Sequence, residues 1–143
     1  IENRKNAVPA SIYIYYDSNL TEQEEIVRTT IEWKIAKYTN YNPTIDNRDD
    51  RGEVKSLSFI ATKQLLYFCS HDSNAIRLVE DAEKLETSLE EVFAIKPYEI
   101  IYYFVKNDVG DFEKLRLIYR YLYYLTNNDK NKSFVGRIYW ENG

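Results

Sequence analysis

Residues 98–125 read YEIIYYFVKNDVGDFEKLRLIYRYLYYL, and the division of this stretch into elements decides the fold. Ile100 to Val105 is an unbroken run of apolar and aromatic residues. A short run without alternation suits a strand covered on both faces near the middle of a sheet. The polar turn Lys106 to Asp111 follows, and from Phe112 to Leu125 the apolar residues recur with helical spacing. The stretch therefore reads as a central strand, a turn and a helix around which the remaining elements pack.

Working outward, Pro97 reads as the stop of a preceding helix over 74–94, whose Leu78, Val79, Ala82, Leu85, Leu89, Val92 and Phe93 share one face. Further upstream, Leu65 to Ser70 and Glu53 to Thr62 read as two arms of a hairpin, the second through the alternation of Leu57, Phe59 and Ala61. Residues 61–70 are the ambiguous part, because a short apolar run also fits a helical turn. Asn40 to Gly52 is a polar segment that reads as a long loop or a short ragged edge. Thr21 followed by Glu24 forms a capping box, opening a helix with Ile26, Val27, Thr30, Ile31, Lys34, Ile35 and Tyr38 on one stripe. Ser11 to Asp17 is β-rich and reads as the first strand, and Phe134 to Trp140 as the last. The order β-α-β-β-α-β-α-β predicts an α+β fold, a ferredoxin-like split β-α-β core with an appended helix and strand. A Rossmann-like α/β sheet is the alternative if 61–70 is helical.

A chain of 143 residues with 44% apolar content fits a single domain spanning 1–143. Methionine is absent, including at position 1, which points to a segment of a longer protein. One cysteine, Cys69, leaves no intramolecular disulfide and no zinc site built from several Cys and His. An intracellular, cytoplasmic setting is expected. No apolar run approaches the roughly 18 residues of a membrane span, so no membrane contact is expected from this segment. The net charge of −4 gives no strong nucleic-acid signal. Acidic residues gather at 80–91, while Lys114, Arg116, Arg120, Lys130, Lys132 and Arg137 make the last third basic.

Four groupings are candidates for function. The first is Asp46, Glu53 and Lys55, in the segment PTIDNRDDRGEVKS. Carboxylates that hold Mg²⁺ beside a lysine that neutralises developing charge are what phosphodiester hydrolysis needs. With Pro43 and Asp46 followed by Glu53-Val54-Lys55, the stretch resembles the PD-(D/E)xK nuclease superfamily. The resemblance implies a Mg²⁺-dependent nuclease or phosphodiesterase with Asp46 and Glu53 as metal ligands and Lys55 as catalytic partner. The second is Cys69 with His71, which share a strand face but stand about 7 Å apart, beyond hydrogen-bond reach. A core cysteine beside a strand-end histidine is the simpler reading. The third comprises the turns at Asp17 and Asp108, which read as helix caps rather than anion sites.

The fourth is the tyrosine-rich helix. Fourteen tyrosines are unusual for this length, and from Phe112 to Leu125 apolar and aromatic side chains surround nearly the whole cylinder. Only Glu113, Arg116 and Arg120 form a charged stripe. More apolar surface than one sheet can cover implies a helix either sandwiched within the fold or in contact with a partner or a second copy. Arg116, Arg120, Tyr123 and Tyr124 are the expected binding residues, since Arg and Tyr are typical interface anchors. The sequence thus favours a non-catalytic interaction module without cofactor, acting with a protein partner or as a homo-oligomer, over the nuclease.

Overall fold

In a computed structural model, residues 13–122 are described, and they are predominantly helical. The helices are α1 (Glu22–Ala36), α2 (Arg51–Thr62), α3 (Ser73–Glu80), α4 (Ala82–Leu85), α5 (Pro97–Lys106) and α6 (Phe112–Leu122). A parallel pair of strands, β1 (Tyr67–Cys69) and β2 (Phe93–Ile95), accompanies them. The class is α+β in the broad sense. The described residues do not form the ferredoxin-like core, nor the extended sheet of the Rossmann-like alternative.

Helix α1 starts where the sequence places it. Thr21 Oγ1 accepts from the Glu24 N–H (3.2 Å), and Glu24 Oε2 accepts from the Thr21 N–H (2.8 Å), so two otherwise orphaned donors are satisfied. Lys63, beyond the end of α2, reaches Glu24 at 2.8 Å and ties the two helices together. The stripe is only partly used: Ile31 and Ile35 are buried, while Ile26 and Val27 remain exposed.

The segment expected as the strand 53–62 is helix α2. Val54, Leu57 and Ser58 are buried, with Ala61 packed against the same core, a spacing of three, four and seven that only a helix brings to one face. The alternation of Leu57, Phe59 and Ala61 had suggested a strand, but it covers too few positions to outweigh that face. Expected strand 65–70 survives as β1, which is shorter. It pairs with β2 in the register Tyr67↔Phe93, Phe68↔Ala94 and Cys69↔Ile95. A parallel pair needs a crossover rather than a tight turn, and α3 and α4 supply it. Phe68 faces the core, whereas Tyr67 and Phe93 stand exposed with ring centroids 6.2 Å apart.

Of the face expected for a single helix 74–94, Leu78, Val79, Ala82, Leu89 and Val92 are buried and Leu85 packs against them, but Phe93 stands exposed on β2 and the helix is not continuous. It breaks at Asp81 and stops at Glu86. Buried Thr87 donates its hydroxyl to the Leu78 carbonyl at 3.2 Å, folding the chain back onto α3.

The central strand 100–105 is corrected most sharply, because it is helix α5. Pro97 sits in its first turn, where the missing N–H costs nothing, so the residue read as a stop is a start. Glu99 Oε2 accepts from the Lys96 N–H at 2.7 Å. Tyr98, Ile101, Tyr102 and Val105 follow helical spacing and meet Leu115 and buried Tyr119 of α6 in a second small core. Asp111 Oδ1 accepts from the Lys114 N–H at 3.1 Å and caps α6. The expected first strand also fails within the described residues: Tyr13 to Tyr16 have no regular structure, and Asp17–Asn19 is a 3₁₀ turn closed by a 3.1 Å bond from the Tyr16 N–H to Asn19 Oδ1. The expected strand 134–140 lies outside the described residues.

Helices α2, α4 and α5 end in the same way. Gln64, Glu86 and Asp108 each take a left-handed backbone, φ 53°. The next N–H reaches back to a carbonyl in the last turn, Leu65 to Ile60 (2.9 Å), Thr87 to Ala82 (3.2 Å) and Val109 to Phe104 (2.8 Å). Glycine is the usual residue at this position, because a Cβ is disfavoured there. Glu86→Gly is therefore expected to raise stability by about 0.5–1 kcal/mol, read as a higher urea midpoint with unchanged slope. A lower midpoint would show that the Glu86 side chain holds the turn.

Candidate functional site

The densest polar constellation lies where α1, the 40–50 loop and the start of α2 meet. The loop is fastened by its own side chains: Asn42 N–H donates to Asn47 Oδ1 (2.6 Å), Asn47 Nδ2 to the Asn40 carbonyl (2.9 Å), and Asn40 N–H to Asp50 Oδ2 (2.8 Å). This turns Tyr41 inward, where it is 4% exposed. Its hydroxyl lies 2.9 Å from Glu32 Oε1 and 2.7 Å from Asp46 Oδ1, sharing one proton between two carboxylates.

Three cations balance those carboxylates. Arg28 Nη1 donates to Glu32 Oε2 at 2.9 Å, one turn away on α1. Arg51 binds Asp46 with both ends of its fork, Nε to Oδ1 and Nη2 to Oδ2, each at 2.8 Å. Lys55 Nζ stands 3.3 Å from Asp46 Oδ1, 3.9 Å from Glu32 Oε1 and 5.8 Å from the Tyr41 ring centre. Glu32 is 6% exposed, so its charge is tolerable only because it is paired and hydrogen-bonded.

The electrostatics follow from this geometry. The Arg51 fork, with help from Tyr41 and Lys55, holds the Asp46 carboxyl far below the usual carboxylate range. Burial, reinforced by Asp46 and then Glu32, pushes the Tyr41 phenol well above its ordinary value. Neither group changes charge between those two limits.

The structure thus brings Asp46 and Lys55 together, but not Glu53. Glu53 and Lys55 are two positions apart on α2, which points them to different sides of a helix. Asp46 already has both oxygens engaged by the Arg51 fork. Among the described residues, no group of three or more His, Cys, Asp or Glu is placed to hold a metal ion. With both Asp46 oxygens held by Arg51 and Glu53 on another side of α2, this donor set does not fit Mg²⁺.

The remaining candidates are placed as follows. Cys69 ends β1 on the exposed side of the strand pair, and burial followed by the charge of Glu99 pushes its thiol up, away from thiolate chemistry. His71 is exposed beyond the strand. Arg116 donates to Glu113 Oε2 at 2.8 Å within its own helix rather than to the acidic 80–91 face. Arg120 is half-buried on α6, and Tyr123 and Tyr124 lie outside the described residues. Leu115 and Tyr119 turn toward α5, leaving Leu117, Ile118 and Tyr121 exposed at 56%, 50% and 74%.

Glu32, Arg28 and Tyr41 were not visible as site residues in the sequence. The available signal was the four-residue spacing of Arg28 and Glu32, which marks a helix pair but not its burial. No protein-family model matches the chain, and neither a curated protein nor a solved structure matches it.

Two measurements test the constellation. Glu32→Ala leaves Arg28, whose side chain is 12% exposed, without its carboxylate, and a loss of about 3–5 kcal/mol is expected; Arg51→Ala, at a half-exposed pair, should cost at most about 1 kcal/mol. Equal losses would place the weight of the network elsewhere. The pH profile supplies the second. The Asp46 contribution is present above the ordinary carboxylate pKa and lost as pH falls below it. The Tyr41 contribution is full below about pH 10, the unfolded phenol value, and lost as pH rises above it. Tyr41→Phe should therefore lose less stability than wild type as pH rises above about 10 in urea titrations. An identical alkaline loss would mean that the Tyr41 proton is not linked to folding.

Proposed function

We propose that the chain is a non-catalytic interaction module of a cytoplasmic protein, and that it contacts a second copy of itself or another protein through α6. The observation that carries this reading is the exposed stripe of Leu117, Ile118 and Tyr121, on the side of α6 away from the helix that buries Leu115 and Tyr119. Large apolar side chains grouped in this way are a costly surface to leave in water. Arg116 and Arg120 flank the stripe and supply the charged rim that such contacts use. Single Cys69 suits a reducing compartment, and no helix among the described residues is long and apolar enough to cross a membrane.

Self-association is the form of the reading that is tested directly. Light scattering across a concentration series should show the mass of the full chain rising toward twice its monomer value. Leu117→Asp/Ile118→Asp should stay monomeric with an unchanged thermal midpoint, because both side chains are at least half exposed. A wild-type chain that remains monomeric at high concentration would rule out a second copy. A double variant that associates like wild type would remove α6 from the interface altogether.

A further inference from the structure

The end of α2 and the loop that leads into β2 enclose a half-open cavity of about 520 Å³. Small-molecule sites fall within roughly 300–1,000 Å³ and combine apolar walls with a few fixed polar groups. Ala61, Leu65, Leu66 and Val92 supply the apolar lining, and Gln64, Ser88 and Glu91 the polar lining. The two walls are fastened together by the Phe93 N–H, which donates to the Leu66 carbonyl at 2.7 Å.

Ser88 is the informative residue. Its backbone is left-handed, φ 64°, although it closes no helix, so the loop keeps a disfavoured conformation there for some other reason. Its Oγ accepts from Lys34 Nζ at 2.7 Å. A hydroxyl oxygen that accepts from an ammonium keeps its own proton to donate, and no acceptor within the described residues takes it. Glu91 contributes an exposed carboxylate, an acceptor. Lys34 behind Ser88 and Glu91 on the lining carry opposite charges, so neither a cation nor an anion is favoured overall.

We infer that this cavity is a binding site for a small, neutral, mostly apolar molecule with one carbonyl and one N–H, an aryl or alkyl amide. The apolar body lies against Leu65, Leu66 and Val92, the carbonyl accepts from Ser88, and the N–H donates to Glu91. The site is separate from the α6 stripe, so it does not depend on self-association.

Acetanilide is a direct probe, titrated into the ¹⁵N-labelled full chain while backbone amide shifts are recorded. Saturable shifts confined to residues 61–66 and 88–92 are expected. Ser88→Ala should raise the half-saturation concentration about tenfold, the equivalent of one hydrogen bond. Leu66→Asp, which places a charge on an exposed part of the wall, should abolish saturation; if it unfolds the chain, Ser88→Ala decides alone. Linear, unsaturable shifts would overturn the site. So would shifts centred on Tyr67 and Phe93 or on the α6 stripe, or a half-saturation unchanged in Ser88→Ala.

Discussion

A carboxylate buried at the contact between two helices sets the terms for the rest of this structure. Glu32 lies on the same face of α1 as Ile31 and Ile35, so the helix cannot bury its apolar residues without burying a charge. The charge is kept by surrounding it: Arg28 from its own helix, the Tyr41 hydroxyl from the following loop, and Lys55 from α2. Beyond Arg28, the partners come from the two segments that follow α1 along the chain. The path from α1 through the 40–50 loop into α2 is therefore fixed by the need to satisfy one side chain, and the apolar contact of Ile35, Val54 and Leu57 forms within that frame.

The sequence was legible where a local rule identifies an element without help from the rest of the fold. Thr21 and Glu24 announce α1 because a capping box is read over four residues and needs no tertiary partner. Most of the buried residues of 74–94 were also legible, from Leu78 to Val92, but Phe93 at the end of the same apolar spacing is exposed on a strand. Residues 100–105 were not. A short run that is apolar at every position carries no period, and Pro97 marks a boundary without saying on which side of it the helix lies. At the ends of α2, α4 and α5 the usual sign was missing, because Gln64, Glu86 and Asp108 stand where glycine is common.

The candidate sites show the same division. Asp46 and Lys55 were singled out and do meet, but as parts of an ion network rather than of an acidic metal site. What joined them to Glu53 in the sequence was spacing, and spacing changes meaning when a strand becomes a helix. Residues two apart share a strand face and are separated on a helix. The excess apolar surface of α6 was legible because it depends on composition around a cylinder, and burial of Tyr119 opposite exposed Tyr121 divides that surface into an inner and an outer side.

The contacts also differ in how much chain must be ordered before they can form. Ile101 and Tyr119 join two helices adjacent in sequence, and Arg28 and Glu32 lie within one helix, so their loop-closure cost is small. The pairing of Tyr67 with Phe93 must wait for all of α3 and α4 to be placed between them. Each strand is only three residues long, so there are few hydrogen bonds to offset that delay. In kinetic terms, sequence separation predicts that the helical pairs form early and the strand pair late.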